Sequence, residues 1–527
     1  MSYQDLGHYI SVLEKEGKLV RVKREINKDR ELMPLVRWQF RGLPEEKRKG
    51  FLFENVTNDK GRKFAMPVAV ATHAASRELY ALAMECKPEQ IYENWARVLS
   101  HPIDPVMVDK APVQEEVHMG DDLEQHRGLE EFPIPISTPG YDPAPFITAG
   151  CWVSKDPESG IRNLGTYRAH VKGLTRTGIQ LAQHIGIHLA KARDQRCPLE
   201  VAIVIGGPPS VALVSTAKVP YEMDELAVAG AIGGEPLPLV KCKTVDLEVP
   251  AGAEIVLEGT LSSDSVEPEA PFGEYTGYMG YRIMSPILEI KCITHRKNPI
   301  YHAFISQFPP SESSKIRGIG REGSLYKFLK YECNIPGIMD VSIHEESGSG
   351  SWCVIRMKKT NYSHPWQALN CATGYSAAGF KVIVVVDEDI DPRDPDSVIW
   401  AISYGMQPHL DVRTVQGMLP GLDPSAGKPE QLQDESYLIS SRGTSCLLID
   451  ATRKWAYPPV ALPRQEIMEH SRKIWEELGL PELKPKRPWH GYSLGMWTQE
   501  NEEEADLALK GEYLAAGDKL ASGRRQL

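Results

Sequence analysis

The 527-residue sequence contains no apolar run that approaches the roughly 20 residues of a membrane-spanning helix. Its first residues, MSYQDLGHYISVLEKEGK, are charged and amphipathic and lack the apolar core of a signal peptide. Basic side chains are not in excess, because 60 Lys and Arg face 71 Asp and Glu, for a net charge of -11. A nucleic-acid backbone requires a basic surface, so we expect a cytoplasmic protein that binds neither membranes nor nucleic acid.

Two familiar kinds of metal and redox site are also missing. The nine cysteines form no CxxC pair, so they are expected to be reduced thiols rather than disulfides or zinc ligands. No HExxH motif occurs, which argues against a zinc protease of the zincin type. The Gly-rich stretch GSGS (348–351) lacks a GxGxxG or Walker pattern around it and is interpreted as a hairpin turn.

Apolar residues make up 42% of the sequence, which is enough to form folded cores. The length predicts about three domains. The first ~110 residues have α/β texture. The Pro-rich passage PIPISTPGYDPAPF (133–146) cannot be helical and is expected to be a linker or an extended crossing segment. Residues 147–154 and 163–173 predict a hairpin, and the strand-like runs 199–206, 253–261 and 287–295 follow. The middle stretch therefore indicates a β-barrel or sandwich with inserted helices.

The last part of the chain returns to α/β texture. KVIVVVDEDID (381–391) predicts a buried strand that ends in acidic residues, followed by a helix capped by Asp394 or Asp396. The tail contains two helical patterns, at 464–479 and 502–517, and the second could pack on another subunit. The acidic cluster DEDIDP (387–392) is either a Mg²⁺-phosphate site or a capped loop, and we favour the loop.

The stretch EAPFGEYTGYMG (269–280) contains the first candidate for catalysis. Pro271 and Gly273 forbid a regular helix, yet a loop can bring Glu269 and Glu274 toward one point. The aromatic residues Phe272, Tyr275 and Tyr278 could lower the local dielectric there. Desolvation raises the pKa of a carboxyl group, which would make a usable proton donor. The alternative is a solvated acidic turn.

Two further motifs offer polar groups of other kinds. In NLGTYR (163–168), Asn163 and Arg168 would project to opposite faces of a regular strand, unless a bulge at Gly165 breaks the alternation. In QHIGIH (183–188), two histidines lie four residues apart on an expected helix. Together with Glu225 at the start of the next helix, Asn163 and His184 would make a mixed N/O site suited to Mn²⁺ or Mg²⁺. Spacing alone leaves open an ordinary strand, an ordinary histidine and an acid that complements a helix dipole.

Together these stretches resemble the UbiD family of prenylated-flavin decarboxylases over almost the whole chain. The resemblance rests on the motifs NLGTYR, QHIGIH, PYEMDELAVAGAIGGEPLPLV, EAPFGEYTGYMG, ITHRKNPIYHA and VVVDEDIDPRDPDSVIWAI, which occur in family order. The family form of the opening of the fourth motif is close to EGPFGE, so Ala270 stands where the family has Gly.

The resemblance implies a fold of α/β plus β class with four parts. These are an N-terminal α/β domain (1–114), a central split β-barrel, flavin-reductase-like domain that binds prenylated FMN (115–315), a C-terminal α/β oligomerisation domain (316–490) and a helical tail (491–527). It also implies a homodimer or homohexamer and a flavin prenyltransferase as the source of the cofactor.

The resemblance further assigns the site residues. It implies that Asn163, His184 and Glu225 bind a divalent metal, Mn²⁺ or Mg²⁺, with K⁺ nearby. It implies that prenylated FMN, the electron sink of the reaction, is lined by a set of residues that also includes the metal ligands. The set is Asn163, Gly165, Thr166, Tyr167, Arg168, Gln183, His184 and Glu225.

The catalytic residues implied are Arg168, Glu269 and Glu274, with Glu274 as the proton donor in a reversible non-oxidative decarboxylation. The substrate would be an aromatic, heteroaromatic or α,β-unsaturated acid, and the apolar Met418 and Leu419 favour an extended one. Gly405 and Ala372 stand where many members have an arginine and a lysine, so the phosphate end and the K⁺ site are expected to differ. A metal-dependent phosphotransferase that uses DEDIDP and a non-catalytic flavin-binding subunit are the alternatives.

Overall fold

The chain was analysed as a computed structural model that describes residues 3–181, 183–348, 350–376, 379–419, 421–432 and 443–526. Its N-terminal part alternates short strands with helices: α1 (Leu6–Lys15), β1 (Leu19–Val22), β2 (Ile26–Asn27), α2 (Leu32–Gly42), β3 (Gly50–Phe53), β4 (Val56–Thr57), β5 (Lys63–Phe64), β6 (Val68–Val70), α3 (Arg77–Ala83) and α4 (Ile91–Ser100). Helix α1 forms because Asp5 caps it, accepting a 2.7 Å hydrogen bond from the His8 amide, and because its apolar residues at helical spacing are buried.

The middle of the chain is rich in strands. Its elements are β7 (Val106–Met107), β8 (Glu116–Met119), α5 (Asp121–Gln125), β9 (Phe146–Ile147), β10 (Gly150–Lys155), β11 (Arg162–Thr166), β12 (Ala169–Val171), β13 (Arg176–Ile179), α6 (Gln183–Asp194), β14 (Leu199–Ile205), α7 (Pro209–Thr216), α8 (Glu225–Gly233), β15 (Pro238–Lys241), β16 (Glu248–Pro250), β17 (Ile255–Glu269), β18 (Ile283–His295) and β19 (Tyr301–Ala303). A 3₁₀ turn at Gly128–Glu131 follows α5.

Nine of these strands form one sheet, in the order β11-β10-β14-β17-β18-β13-β12-β9 with β8 paired to β18. Its longest pair, β17 and β18, is antiparallel and runs from Ile255 opposite His295 to Glu269 opposite Ile283. The two end strands of the path, β9 and β11, are not paired with each other among the described residues, so the split-barrel form stays a prediction. Strand β19 leaves this sheet and joins the N-terminal sheet β1-β3-β6-β19, which it completes by pairing in parallel with β6.

The predicted hairpin at residues 147–173 is present, but the bulge predicted at Gly165 is wrong. Strands β10 and β11 pair in continuous register, with Ser154 opposite Asn163 and Trp152 opposite Gly165. Strand β11 ends at Thr166, and the chain then crosses to β12, which pairs with β13 and β9 instead. Arg168 therefore lies in the crossing between two strands, where the alternation of faces does not apply.

The C-terminal part builds a five-stranded sheet in the order β20-β21-β22-β24-β23. Its elements are α9 (Glu312–Lys327), β20 (Ile338–Ile343), β21 (Trp352–Met357), α10 (Ser363–Gly374), β22 (Val382–Asp387), α11 (Pro395–Gly405), α12 (Pro408–Asp411), β23 (Val412–Met418), α13 (Pro429–Leu432) and β24 (Thr444–Asp450). The buried strand predicted at 381–391 is β22, and Asp394 caps α11 through a 3.3 Å bond from the Ser397 amide.

The tail contains α14 (Gln465–Glu477), α15 (Gln499–Leu509) and α16 (Tyr513–Ala521). The single helix predicted at 502–517 is thus wrong, because the chain breaks between α15 and α16. Gly511 lies there with φ of +80°, a left-handed conformation that ends a helix. Within the described ranges, no helix is both long enough and apolar enough to span a membrane.

Candidate active site

Arg168 lies between two glutamates that come from different parts of one loop region. Its Nε and Nη2 donate hydrogen bonds of 2.9 and 2.8 Å to the two carboxylate oxygens of Glu269, and its Nη1 donates to Oε1 of Glu274. Glu269 ends strand β17 and is 0% exposed, while Glu274 is 9% exposed. The structure therefore brings all three predicted catalytic residues together, and the alternative of a solvated acidic turn is wrong.

A short hairpin holds Glu274 in this place. The Glu274 amide donates to the Tyr278 carbonyl at 2.8 Å, and the Gly280 amide donates to the Phe272 carbonyl at 2.7 Å. Gly273 sits so close to Gln307 that a Cβ would lie 2.0 Å from its Cγ, which explains the need for glycine. The predicted loop thus exists and positions Glu274 with backbone hydrogen bonds.

Ala270, the departure from the family motif, sits in an unusual backbone conformation. Its φ is +73°, in the left-handed region that glycine adopts at no steric cost. This conformation explains the family preference for glycine, and it means that the methyl group of Ala270 is accommodated with backbone strain of about 1 kcal/mol.

An aromatic wall covers one side of Arg168. The guanidinium carbon lies 5.2 Å from the centre of the Phe272 ring, which packs on Phe146 at 4.5 Å, and Phe146 stacks on His170 at 4.6 Å. Burial lowers the pKa of His170, which favours its neutral form. Tyr278, however, is 66% exposed and does not contribute to this wall, so that part of the prediction is wrong.

A second group of polar side chains meets at strand β11 and helices α6 and α8. Nδ1 of His184 lies 3.0 Å from Oδ1 of Asn163 and 4.0 Å from Oε1 of Glu225. The other oxygen of Glu225 accepts a 2.9 Å hydrogen bond from the Leu164 amide. Helix α8 starts at Glu225 because Asp224 caps it, accepting from the Leu226 amide at 2.9 Å. The structure therefore brings together the three residues predicted as metal ligands.

The chemistry of these donors fits a divalent cation. Burial raises the pKa of Glu225 to about 8, and the charge of Asp224 adds to this effect, whereas the hydrogen bond from the Leu164 amide opposes it. Burial, with the charge of Lys218, lowers the pKa of His184, so its imidazole is neutral and can act as a ligand. Among the described residues, the buried Nδ2 of Asn163 has no hydrogen-bond partner. One amide oxygen, one imidazole nitrogen and one carboxylate suit Mn²⁺ or Mg²⁺.

The backbone of β11 beside this group has little free space. A Cβ on Gly165 would lie 2.5 Å from the Tyr167 hydroxyl, so glycine is required there. The Thr166 hydroxyl lies 2.7 Å from that of Ser215, and the Trp152 indole donates to the Tyr167 carbonyl at 2.9 Å. These contacts fix the segment that the resemblance assigns to the cofactor. The side chain of Gln183 lies outside the described part of the structure.

Asp142 is a partly buried acid, close enough to feel the charge of Arg168, that the sequence reasoning did not single out. One of its oxygens accepts a 2.6 Å hydrogen bond from the Thr138 amide, and Oδ1 is buried without a partner among the described residues. Burial raises the pKa of Asp142 to about 6, although nearby backbone amides and the charge of Arg168 act in the opposite direction. Asp142 is the one acid in the Pro-rich passage 133–146, which was the available signal.

The acidic cluster DEDIDP is occupied by internal contacts. Asp389 accepts two 2.9 Å hydrogen bonds from Arg453 and one of 2.6 Å from the Tyr492 hydroxyl. Asp387 accepts from the Arg453 amide at 2.8 Å, and Asp394 caps α11. This arrangement fits the capped-loop interpretation, because Arg453 engages both Asp387 and Asp389.

The two departures near the expected phosphate end have packing reasons. A Cβ on Gly405 would lie 2.3 Å from the carbonyl oxygen of Ala451, so no larger residue fits there without backbone movement. Ala372 is fully buried on α10. These two positions are therefore parts of the core of the C-terminal unit.

Three family models match the chain in succession. They are the N-terminal (residues 10–99), Rift-related (105–309) and C-terminal (314–451) domains of 3-octaprenyl-4-hydroxybenzoate carboxy-lyase, UbiD. The chain therefore belongs to the UbiD family, has its three-domain fold and is a carboxy-lyase.

Several characterised relatives are similar over nearly their whole length. The phenolic acid decarboxylase of Bacillus subtilis is 31% identical over 477 residues, which covers 86% of this chain and 98% of that protein. An evolved dimeric form of HmfF from Pelotomaculum thermopropionicum, solved with prFMN, is 31% identical with a TM-score of 0.76, covering 89% of this chain and 100% of that one. The closed form of the vanillic acid decarboxylase of Sedimentibacter hydroxybenzoicus is 28% identical with a TM-score of 0.76, covering 91% and 99%.

Proposed function

We propose that this protein catalyses the reversible, non-oxidative decarboxylation of an aromatic, heteroaromatic or α,β-unsaturated carboxylic acid, with prenylated FMN as cofactor. The observation that carries this proposal is one arginine shared by two buried glutamates, beside a separate Asn/His/Glu donor set. The relatives solved with prFMN or FMN and those described as decarboxylases of aromatic acids support the same conclusion.

Arg168 and Glu269 would act as one positioning unit. Glu269 takes both of its oxygens to Arg168 and compensates its charge inside a buried site. This pairing fixes the plane of the guanidinium, so that Arg168 can orient the carboxylate of the substrate without a search over rotamers. Removal of either partner would leave an uncompensated buried charge.

Glu274 would hold and deliver the proton. Its Oε1 accepts from Arg168, which leaves Oε2 as the oxygen that carries the proton. After CO₂ has left, Oε2–H would protonate the carbon that carried the carboxylate, and the proton would be replaced from solvent. The exposed fraction of Glu274, 9% against 0% for Glu269, fits a group that must exchange its proton.

The cofactor region would be built from the remaining predicted residues. Asn163, His184 and Glu225 would hold Mn²⁺ or Mg²⁺, and the segment from Gly165 to Tyr167, with Arg168 and Gln183, would line the flavin. Prenylated FMN supplies the electron sink that decarboxylation at an sp² carbon needs. A K⁺ ion is part of the proposal only because the family resemblance implies it. The division of the chain into four parts at residues 114, 315 and 490 also rests on the resemblance alone.

The substrate would be an aromatic acid, since vanillic acid, 3,4-dihydroxybenzoic acid and phenolic acids are named for the relatives, and the apolar Met418 and Leu419 favour an extended one. A flavin prenyltransferase would supply the cofactor. We also propose a homodimer or homohexamer, since the tail leaves Leu509, Tyr513 and Leu514 more than half exposed for packing on a second subunit.

The test is co-expression with a flavin prenyltransferase, followed by absorbance and mass spectra of the released ligand. We expect prenylated FMN and CO₂ release from at least one acid in a panel of benzoic, cinnamic and furoic acids. Release of no flavin would contradict the proposal, and bound prenylated FMN without turnover of any acid would favour the non-catalytic flavin-binding subunit.

A further inference from the structure

A cluster of histidines and carboxylates lies at the opposite end of the β17–β18 pair from the catalytic residues. His295 ends β18, twelve residues from the partner of Glu269, so the two ends are separated by roughly 40 Å of extended strand. His118 lies on the neighbouring strand β8, whose register places His118 opposite Ile293 and therefore on the same face as His295. Glu131 approaches from the 3₁₀ turn Gly128–Glu131.

Two of the three separations between the ligand atoms are close to those around a tetrahedral ion. Nε2 of His118 lies 3.3 Å from Nε2 of His295, which lies 3.5 Å from Oε1 of Glu131. In a tetrahedral zinc site with bonds of about 2.0–2.1 Å, neighbouring ligand atoms are about 3.3–3.4 Å apart. These two separations agree with that value, and the ligand atoms of His118 and Glu131 lie within 4.8 Å of each other, so a small movement of the Glu131 side chain would complete the site.

The outer nitrogens of both rings are already committed as donors. Nδ1 of His118 lies 2.9 Å from the carboxylate of Asp122, and Nδ1 of His295 lies 2.6 Å from the carbonyl oxygen of Arg296. Each of these oxygens can only accept, so each Nδ1 carries the hydrogen and each Nε2 of the neutral ring presents a lone pair. With both rings neutral, two lone pairs and a carboxylate oxygen face one point, and either a proton held between His295 and Glu131 or a metal ion balances them.

The arrangement has the outer hydrogen bonds typical of metal sites. A carboxylate or a carbonyl that accepts from the far nitrogen of a ligating histidine fixes the ring and its tautomer. The second oxygen of Glu131 is buried and has no hydrogen-bond partner among the described residues. Two histidines and one glutamate form a known zinc ligand set that keeps a fourth position for water.

In another cluster of histidines and a carboxylate, the carboxylate is already used by backbone hydrogen bonds. Glu312 lies near His73 and His302, but its oxygens accept hydrogen bonds from the backbone amides of Ala71 and His73 at 2.8 and 2.9 Å. That carboxylate is used to hold the backbone. Glu131 accepts no backbone hydrogen bond within the described residues, and its side-chain partner is His295 at 3.5 Å, so a metal ion would have to replace only a proton between them.

We propose that His118, His295 and Glu131 bind a zinc ion, which fastens the segment of residues 116–131 to strand β18. The site is independent of the proposed function, since it shares no residue with the catalytic or flavin-binding groups. The ion would tie together two histidines that are 177 residues apart in sequence, and water would complete its coordination.

The binding experiment uses the full-length enzyme, treated with a chelator and then titrated with Zn²⁺ or with Co²⁺ as a coloured substitute. We expect one equivalent to bind with a dissociation constant below about 1 µM, with the absorption of tetrahedral Co²⁺. This equivalent persists in the Glu225→Gln variant, which weakens the other donor set. Bound zinc also raises the Tm of the chelated protein.

Substitutions separate the ligands from their surroundings. Glu131→Gln and His295→Gln should weaken zinc binding at least a hundredfold, and Asp122→Asn, which only orients His118, by about tenfold. His126→Gln is the matched control: His126 stacks on His118 at 3.9 Å but is not one of the three ligands, so its loss should leave affinity within about threefold.

Anomalous diffraction from zinc-loaded wild-type crystals avoids dependence on the folding of variants. We expect an anomalous peak between the three ligand atoms. Absence of that peak, or no zinc beyond what Glu225→Gln removes, would overturn the proposal and leave a shared proton as the cation between the two rings. Wild-type affinity in Glu131→Gln would overturn it as well.

Discussion

Arg168 and Arg453 each contact two carboxylates, but the two clusters differ in how many carboxylate oxygens are occupied by hydrogen bonds. At Arg453, both oxygens of Asp389 accept from the guanidinium, Tyr492 adds a third hydrogen bond, and Asp387 accepts from the Arg453 amide. At Arg168, Glu269 is occupied in the same bidentate way, whereas Glu274 accepts from the arginine through Oε1. The Arg453 cluster is closed around Asp389, whose two oxygens are both occupied, whereas Oε2 of Glu274 is not bonded to the arginine and is the oxygen to which the proposed function assigns the proton.

Under the proposed function, the same residue types would serve structure in one place and catalysis in another. A carboxylate that accepts several hydrogen bonds is held in its ionised form, because each bond favours the charge. A proton donor must instead be able to carry a proton while its position remains fixed. At Glu274 the hairpin of residues 272–280 provides the fixed position, which frees the carboxyl group from that task.

The largest expected effect comes from removing the proposed proton donor. Glu274→Gln keeps the size and the hydrogen bond to Arg168 but cannot deliver a proton, so kcat should fall by about 10³-fold or more. The bound flavin, measured by absorbance, should stay at the wild-type level. Asp389→Asn is the matched control in the closed cluster, and its kcat should stay within about twofold of wild type.

The next effect tests the bidentate pairing of the arginine. Arg168→Lys keeps the charge but loses the planar fork that meets both oxygens of Glu269, so kcat/KM should fall by about 10²-fold. The same change at Arg453 should leave kcat/KM near the wild-type value and lower the Tm. Equal losses of activity in the two variants would mean that the clusters do not differ in the way described.

A smaller effect concerns stability and pH in the closed cluster. Burial opposes the ionisation of Asp389, yet the hydrogen bonds from Arg453 and Tyr492 hold its pKa below the ordinary aspartate value. A depressed pKa in the folded state contributes stability above the unfolded-state value of about 4, and this contribution is lost as the pH falls through the folded-state pKa. Asp389→Asn should therefore lower the Tm at pH 7, by about 2–4 °C for each kcal/mol lost.

The difference in Tm between this variant and wild type should shrink as the pH is lowered below about 4, which calorimetry at several pH values can follow. A difference that stays constant or grows toward acid would contradict the assignment of Asp389 as an ionised structural group.

The smallest expected effect concerns the strained residue beside Glu269. Ala270→Gly relieves the left-handed strain but adds freedom to the unfolded chain, and these effects nearly cancel, so the Tm should change by less than about 2 °C. Activity should be unchanged. A tenfold loss of kcat/KM would mean that the methyl group itself shapes the site, contrary to the account given for this position.

The comparison also explains which parts of the molecule the sequence could reveal. The long strands β14, β17 and β18 and the capped helix α11 follow from local patterns of apolar residues and from a capping aspartate, and these predictions are confirmed. The sequence does not predict that β19 joins the N-terminal sheet, because its three residues contain no local pattern that identifies β6 as the partner strand. The break at Gly511 was visible in principle as a glycine near a helix end.

The arrangement of the candidate site was harder to predict from the sequence than the fold. The meeting of Arg168 with Glu269 and Glu274 depends on the end of β11 at Thr166, which redirects Arg168, and on pairings more than 100 residues apart in sequence. Spacing alone therefore left a solvated turn open, and the resemblance was needed to choose. Asp142 was missed because its closeness to Arg168 arises from the path of a Pro-rich segment without regular structure.

The most direct test of the central claim is solvent deuterium exchange into the decarboxylated product, measured by NMR with the flavin-loaded enzyme and no added CO₂. The account predicts that wild type exchanges the hydrogen at the carbon that had carried the carboxylate, and that Glu274→Gln, with equal flavin content, exchanges it about 10³-fold more slowly. Exchange at the wild-type rate in Glu274→Gln would contradict the assignment of Glu274 as the group that delivers the proton.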